Sequence, residues 1–305
     1  VLDGTDDRFV YALAVDRRRD VAAERLDAFL LDVGEQLAES FYPKVYSVVY
    51  TSATVAAGSD FSHFARGVGL DRLGPEGFHT LRLDSSYDFE RQMAVFVPTD
   101  LPEPCQPASS GYSAYIEALS AMLVDVHVAM GGSVLTLFTS RRDMDEVYRR
   151  LAGPLAREGL PLLIQSRGVS RKRVADEFIA DERMSLLATK SFWEGFDARG
   201  DTLRCVVVPR LPFGPVNDPV LEERRERDAR WWEHYYLPSA VLELKQAAGR
   251  LIRSATDEGC LVLADARLTG PKAYAARFLE ALPVREVERL PAAEIGDAVR
   301  GRFGR

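Results

Sequence analysis

Short apolar segments alternate with helical segments from residue 112 to residue 265. Helical spacing is clearest at Met144, Val147, Tyr148 and Leu151, which recur at i, i+3, i+4 and i+7. Strands that alternate with helices predict an α/β domain with a mainly parallel sheet and helices on both faces. Such sheets bind ligands at the carboxyl ends of their strands, so we expect functional residues directly after the strands. The predicted strands lie at 133–140, 160–166, 185–190, 203–211 and 260–265.

The start of the chain predicts a strand followed by a helix. FVYALAV (9–15) has the apolar content of a strand. The following segment (20–42) is expected to be a helix, with helical spacing late on at Val33, Leu37 and Phe41. SVVYTSAT (47–54) is expected to form a buried strand that runs into a polar turn.

Composition divides the chain into three parts. Residues 56–111 contain Gly and Pro throughout, and 97–111 is typical of a linker or a long loop. We therefore expect a first part at 1–60, a connecting segment at 61–111 and an α/β domain at 112–305.

The overall charge is acidic, but one region is basic. The chain has 305 residues, 47% of them hydrophobic, which suffices for a substantial core. Its net charge of −7 argues against a generally basic nucleic-acid binder without excluding a local basic track. A solvated surface is the alternative interpretation of that track. Its members are Arg141, Arg142, Arg149, Arg150, Arg157, Arg167, Arg171, Lys172 and Arg173.

Several classes of protein are not expected. There is no apolar run of about 18 residues and no signal peptide, so we expect no membrane association and a cytoplasmic location. The opening residues, VLDGTDDRFV, lack an initiator Met and suggest a fragment. Cys105, Cys205 and Cys260 are too few for a disulfide framework or an iron–sulfur site.

A helix predicted from Pro238 to about Arg253 carries an unusual polar face. At 100° per residue, Gln246, Arg250 and Arg253 project opposite the apolar residues of this helix. Arg is suited to bidentate contact with phosphate, and a solvated face would usually mix charges. Spacing alone leaves both a phosphate-binding face and a solvated face open.

Two strand-to-loop junctions carry further candidates. In TKSFWEGFD (189–197), Gly195 permits a tight turn and close approach of the backbone, while Trp193 and Phe196 could be core residues instead. Thr139 and Ser140 lie where a helix begins, so their hydroxyls and free N–H groups can bind an anion or simply cap the helix. The donors of the first loop are Thr189, Lys190 and Ser191, and its acceptors are Glu194 and Asp197.

Four segments together resemble the motifs of the DinG/XPD branch of superfamily 2 helicases. They are VVYTSATV, VLTLFTSRRDMDEVY, LLATKSFWEGFDARGD and QAAGRLIRSATDEG, in the family's order. The resemblance covers nearly the whole chain and implies an ATP-dependent DNA helicase of 5′ to 3′ polarity. It also implies that residues 1–60 end a first motor domain and that 112–305 form a second, RecA-like one.

The resemblance assigns a role to each candidate. Arg250 and Arg253 would contact the γ-phosphate of ATP, with Gln246 positioning them or the attacking water. The nucleotide side would include Glu194, Gly195, Asp197 and Gly249. Single-stranded DNA would be held by Thr139, Ser140, Arg141, Thr189, Lys190 and Ser191. Ser52 and Thr54 would couple the nucleotide state to domain movement.

Part of a helicase motor is missing from the sequence. It contains neither a P-loop nor an acidic Mg²⁺-binding motif. ATP and Mg²⁺ binding would therefore need the protein's own N-terminal motor domain, and an iron–sulfur cluster would not lie in this chain. We expect the isolated chain neither to bind ATP tightly nor to hydrolyse it. The alternative is a nucleic-acid-binding module without a motor, although such a module would have no use for Arg250 and Arg253.

Overall fold

The computed structural model of the chain describes residues 6–18, 21–52, 54–56, 60–74, 76–166, 168–189, 192 and 200–304. The chain divides into two compact units. The smaller unit combines Val1–Leu83 with Phe213–Leu242, and the larger combines Asp84–Pro212 with Glu243–Arg305.

The larger unit contains a seven-stranded sheet in the order β5-β6-β4-β7-β8-β3-β9, and its pairings are parallel. This confirms the predicted mainly parallel α/β fold. The strands are β3 (Met93–Pro98), β4 (Val134–Phe138), β5 (Leu162–Ile164), β6 (Ser185–Thr189), β7 (Cys205–Val208), β8 (Gly259–Leu263) and β9 (Glu288–Leu290).

Helices cover this sheet. The helices are α3 (Phe89–Gln92), α4 (Tyr112–Met130), α5 (Arg141–Arg157), α6 (Arg171–Ile179), α9 (Ala275–Glu280) and α10 (Ala292–Phe303). A further helix, α8 (Leu237–Ala248), begins in the smaller unit and ends in the larger one.

The central strands of the sheet are buried on both faces, whereas the edge strands β5 and β9 are partly exposed. On one face, Val134, Phe138 and Val207 join the apolar side chains of α4, α5 and α10 in a single core. The alternate residues, such as Leu135 and Leu137, are fully buried as well. A strand buried on both faces is a continuous apolar run in sequence, which is why the sequence pattern located β4, β6, β7 and β8.

One central strand was not predicted. β3 lies inside the segment expected to be irregular, yet it pairs with both β8 and β9. The following residues are not a free linker either. Leu101 is buried, and the Asp100 carboxylate accepts a hydrogen bond from the backbone N–H of Ala292. The larger unit therefore starts at Asp84 rather than at the predicted residue 112.

The helix α4 is the main core helix. Its 19 residues are long and apolar enough to cross a membrane, but more than half are buried inside the protein. It ends at Gly131 and Gly132, whose φ angles of 66° and 99° favour glycine. Burial in the protein core accounts for its apolar composition.

The smaller unit contains a two-stranded antiparallel hairpin, β1 (Phe9–Arg18) and β2 (Val21–Leu30). The helix predicted after β1 begins only at α1 (Val33–Ser40), because residues 21–30 pair with β1 instead. The unit also contains α2 (Ser62–Gly67), α7 (Pro219–Arg227) and a π-helix at Trp232–Tyr236 that leads into α8.

The prediction of a buried strand at 47–54 was wrong for the structure of this chain. Residues 47–52 have no regular secondary structure and are exposed, with Val49 84% exposed. A strand needs backbone partners, and none of the described residues pairs with this segment.

Candidate functional site

Four predicted DNA-binding residues meet at the carboxyl ends of β4 and β6. Thr139, Ser140 and Arg141 follow β4, and Thr189 is the last residue of β6, which pairs directly with β4. Thr139 is exposed, and the other three are half-buried. This is the edge at which the α/β topology predicts ligands.

Gln165, which the sequence analysis missed, joins these residues. Its side-chain Oε1 accepts hydrogen bonds from the backbone N and the Oγ1 of Thr189, both at 2.8 Å. Its backbone carbonyl accepts a 2.8 Å hydrogen bond from Nη1 of Arg141. Gln165 is the penultimate residue of the predicted strand 160–166 and directly follows β5. The expectation that functional residues lie at the carboxyl ends of strands could therefore have identified it.

Ser140 caps α5. Its Oγ accepts a hydrogen bond from the backbone N–H of Asp143 at 3.2 Å, as a capping serine does. The remaining N–H groups of this first turn lie at the positive end of the helix dipole. The turn therefore offers both backbone donors and the Arg141 guanidinium at one edge.

A partly buried network of hydrogen bonds and an ion pair stabilises the first turn of α5. The Asp143 carboxylate, only 4% exposed, accepts a 2.9 Å hydrogen bond from the Tyr112 hydroxyl and lies 3.8 Å from Nη2 of Arg210. That Nη2 also donates to the carbonyl of Cys105 at 2.8 Å. Burial, together with the hydrogen bond to Asp143, raises the pKa of Tyr112 to about 12. The network ties the 99–111 segment to the start of α5.

The predicted arginines lie elsewhere. The loop Gly249–Glu258, here called the arginine loop, leads from α8 into the amino end of β8. Gln92, which precedes β3, contacts it. Arg250 and Arg253 therefore lie at the amino edge of the sheet, opposite Thr139 and Thr189. The expectation that all candidates follow strand ends was wrong for these arginines.

The predicted length of the helix was also wrong. α8 ends at Ala248 instead of continuing to Arg253. The backbone N–H groups of Arg250 and Leu251 bond to carbonyls three residues back, which tightens the last turn. The assumed 100° steps do not hold beyond this point, so Gln246, which is in α8, does not share a helical face with Arg253.

A carboxylate fixes the backbone around Arg253. Oδ2 of Asp257 accepts hydrogen bonds from the backbone N–H groups of Arg253 and Ser254, at 2.8 Å and 2.9 Å. Its Oδ1 accepts one from the Ser254 hydroxyl at 2.7 Å. Partial burial lowers the pKa of the Arg253 guanidinium, and Asp257 counteracts this shift. The guanidinium remains charged at any ordinary pH.

The fold of the larger unit does not require a glycine at position 249. Its φ is not positive, and a Cβ there would lie 3.4 Å from the carbonyl oxygen of Lys245, an ordinary contact. Gly249 is exposed. A glycine at this exposed position leaves the backbone accessible to close approach.

The remaining predicted residues fall into two groups. Ser52 and Thr54 are in the smaller unit, where their hydroxyls lie 3.2 Å apart and Oγ of Ser52 accepts from the backbone N–H of Thr54. Five predictions lie outside the described residues: Lys190, Ser191, Glu194, Gly195 and Asp197. Among the residues that are described, no three His, Cys, Asp or Glu side chains group as metal ligands.

Comparisons with known proteins agree with the fold. The seven-stranded parallel sheet with its covering helices is the fold of a RecA-like domain. Two solved XPD structures share this fold. The XPD helicase has a TM-score of 0.50 and 20% sequence identity, and the match covers 65% of this chain and 35% of that one. Apo XPD has a TM-score of 0.52 and 19% sequence identity, and the match covers 66% of this chain and 40% of that one.

Sequence comparison identifies the family. The helicase C-terminal domain model matches residues 123–285. The ATP-dependent DNA helicase YoaA of Escherichia coli K12 is 38% identical over 83% of this chain and 38% of its own length. The 3′-5′ exonuclease DinG of Bacillus subtilis 168 is 30% identical over 98% of this chain and 32% of its own length. The chain belongs to the DinG/XPD-like superfamily 2 helicases and corresponds to their C-terminal part, spanning about a third of the length of these relatives.

Proposed function

We propose that the chain is the second motor domain of an ATP-dependent DNA helicase that moves 5′ to 3′ along single strands. One observation carries the proposal. The larger unit carries two separate sets of side chains whose types suit phosphate contact, one at each end of the strands of the same parallel sheet. A helicase motor needs two such surfaces, because it binds a nucleic-acid backbone and a nucleotide at once.

The carboxyl edge is the proposed DNA surface. The Thr139 and Thr189 hydroxyls, the N–H groups of the first turn of α5 and the Arg141 guanidinium are donors suited to phosphate oxygens. Such contacts position a strand without reading its sequence. Gln165 supports this role, because it holds Thr189 and Arg141 together. Lys190 and Ser191 would extend the same surface.

The arginine loop is the proposed nucleotide surface. Arg250 and Arg253 would stabilise charge on the γ-phosphate, with Gln246 positioning them or the attacking water, an effect on the order of 10³–10⁵ in rate where arginine fingers have been measured. Gly249, Glu194, Gly195 and Asp197 would contact the nucleotide or its Mg²⁺ ion. ATP and Mg²⁺ would be held mainly by a P-loop domain. Ser52 and Thr54 would couple nucleotide state to movement.

The test is ATP turnover by the full-length protein with and without single-stranded DNA. We expect DNA-stimulated turnover in the wild type, and a loss of about 1,000-fold in kcat for Arg250→Ala with unchanged single-strand binding. Arg300→Ala is the matched control, because Arg300 is exposed and its Nη1 pairs with Asp297 of the same helix, α10.

Two further readouts complete this experiment. Affinity for single strands should fall as salt rises, because phosphate contacts release counterions. The isolated 305-residue chain should show no steady-state turnover. Normal turnover by Arg250→Ala would remove Arg250 from the nucleotide site, and a flat salt response would contradict the DNA surface.

A further inference from the structure

Two side chains from a distant part of the sequence bind the backbone of the arginine loop. The Tyr87 hydroxyl donates a 2.7 Å hydrogen bond to the carbonyl of Arg253. Nε2 of Gln92 donates to the carbonyls of Ser254 at 2.9 Å and Asp257 at 2.8 Å. We call Tyr87 and Gln92 the loop clamp. Each member lies more than 160 residues before the loop residues that it binds.

The loop clamp has rigid support. Gln92 is 1% exposed and ends α3, whose first turn is capped by Asp88. The next residue, Met93, begins β3 and pairs with Gly259 at the start of β8. Phe89 packs edge-on against the Tyr87 ring, with centroids 6.1 Å apart. The clamp and the end of the loop are therefore fixed to two adjacent strands of one sheet.

The backbone of Arg253 is held at both its N–H group and its carbonyl group. Asp257 accepts from the backbone N–H of Arg253, and Tyr87 donates to its carbonyl. Gln92 then uses both hydrogens of its amide on the next turn of the loop. A buried amide with both hydrogens engaged is costly to replace, because two carbonyls would lose their partner.

We infer that Tyr87 and Gln92 are positioning residues that hold the Arg253 guanidinium in place for phosphate transfer. The inference rests on the proposed function, since it assigns the clamp to the same nucleotide surface. If the loop were mobile, its guanidinium would reach the γ-phosphate in only a fraction of the bound-nucleotide complexes. Misplacement by about 1 Å can cost about 100-fold in rate, so backbone anchoring has a direct kinetic consequence.

The experiment compares Gln92→Leu and Tyr87→Phe with Arg253→Ala in the full-length protein. DNA-stimulated kcat should fall by about 10-fold to 100-fold for Gln92→Leu and less for Tyr87→Phe, which loses a single hydrogen bond. The KM for ATP and the affinity for single strands should stay within about twofold, because ground-state binding is not the clamp's role. Gln92→Glu should lower DNA-stimulated kcat as Gln92→Leu does, because a carboxylate cannot donate hydrogen bonds to carbonyls.

Two controls separate positioning from general damage. Tyr148→Phe makes the same chemical change as Tyr87→Phe in α5, away from the arginine loop. Val147→Ala removes fully buried volume from α5 and lowers the melting temperature without touching the loop. Both controls should retain kcat.

The outcomes distinguish the clamp from the proposed function. If Gln92→Leu and Tyr87→Phe retain kcat while Arg253→Ala loses it, the clamp is refuted and the nucleotide surface stands. If the clamp variants lose kcat and DNA affinity in parallel, as a destabilised protein would, positioning is also refuted. A wild type without DNA-stimulated turnover, or an active Arg253→Ala, would overturn the proposed function and the clamp with it.

Discussion

His127 should make the stability of the larger unit depend on pH. It lies in the last turn of α4 and is fully buried. Its Nε2 is 3.5 Å from Oγ1 of Thr136, and no described residue bonds to its Nδ1. Burial lowers the pKa of this imidazole from 6.5 to about 3. The folded chain therefore keeps His127 neutral at pH values where the unfolded chain protonates it.

The size of the effect follows from the two pKa values. A cation at the end of a helix gains at most about 2 kcal/mol from the helix dipole. The lowered pKa corresponds to about 5 kcal/mol, so desolvation wins. Between pH 6.5 and 3 the unfolded state binds more protons, and the stability present above pH 6.5 is lost as the pH falls. At pH 5 the loss amounts to about 2 kcal/mol.

Urea unfolding at pH 7.5 and pH 5, followed by circular dichroism, measures this loss. The comparison is with His127→Leu combined with Thr136→Val, which replaces both polar partners by apolar groups. The other histidines, His63, His79 and His234, lie in the smaller unit, so their titration cancels between the two proteins. We expect the wild type to lose about 2 kcal/mol more than the variant on acidification. An equal loss in both proteins would show that His127 titrates normally and would refute the reasoning.

Two further predictions concern the larger unit. Gly132→Ala should destabilise the domain by about 3 kcal/mol or more in thermal unfolding, because its Cβ would lie 2.0 Å from the carbonyl oxygen of Arg183 at a φ of 99°. Gly131→Ala is the matched control and should cost only about 1 kcal/mol, since its Cβ meets nothing within 4 Å; equal losses would contradict the steric argument. Gln165→Leu should weaken single-strand binding by the full-length protein about tenfold in fluorescence anisotropy, because Thr189 loses its acceptor. Unchanged affinity would leave Gln165 with a structural role only.

The sequence predicted those elements whose signal is local. Strands β4, β6, β7 and β8 are apolar runs buried on both faces, and their residues alone indicate them. β3 is also apolar, but it lies between a charged segment and a proline-rich one. Its partners, β8 and β9, follow more than 160 residues later. No short window of sequence contains that information.

The arginine loop shows a second limit of local reasoning. The pattern of QAAGRLIRSATDEG fits a helix through Arg253, yet α8 ends at Ala248. Gly249 lowers helix propensity by about 1 kcal/mol, and Asp257 offers the backbone of Arg253 an alternative set of hydrogen bonds. Tyr87 and Gln92 add tertiary contacts that favour the loop conformation. The residue types at the proposed site could be predicted from the sequence. The hydrogen bonds of Tyr87, Gln92 and Asp257 that hold the arginine loop could not.

The position of the arginines could have been deduced from the topology. In a parallel sheet each crossover leaves from the carboxyl end of one strand and returns to the amino end of the next. Thr139 follows β4 and Thr189 ends β6, whereas Arg250 and Arg253 precede β8, so the two sets must lie at opposite edges. A five-residue strand such as β8 separates the edges by about 17 Å. No single side chain spans that distance. If the chain binds DNA at one edge and a nucleotide at the other, coupling between them must therefore pass through the sheet or through another domain.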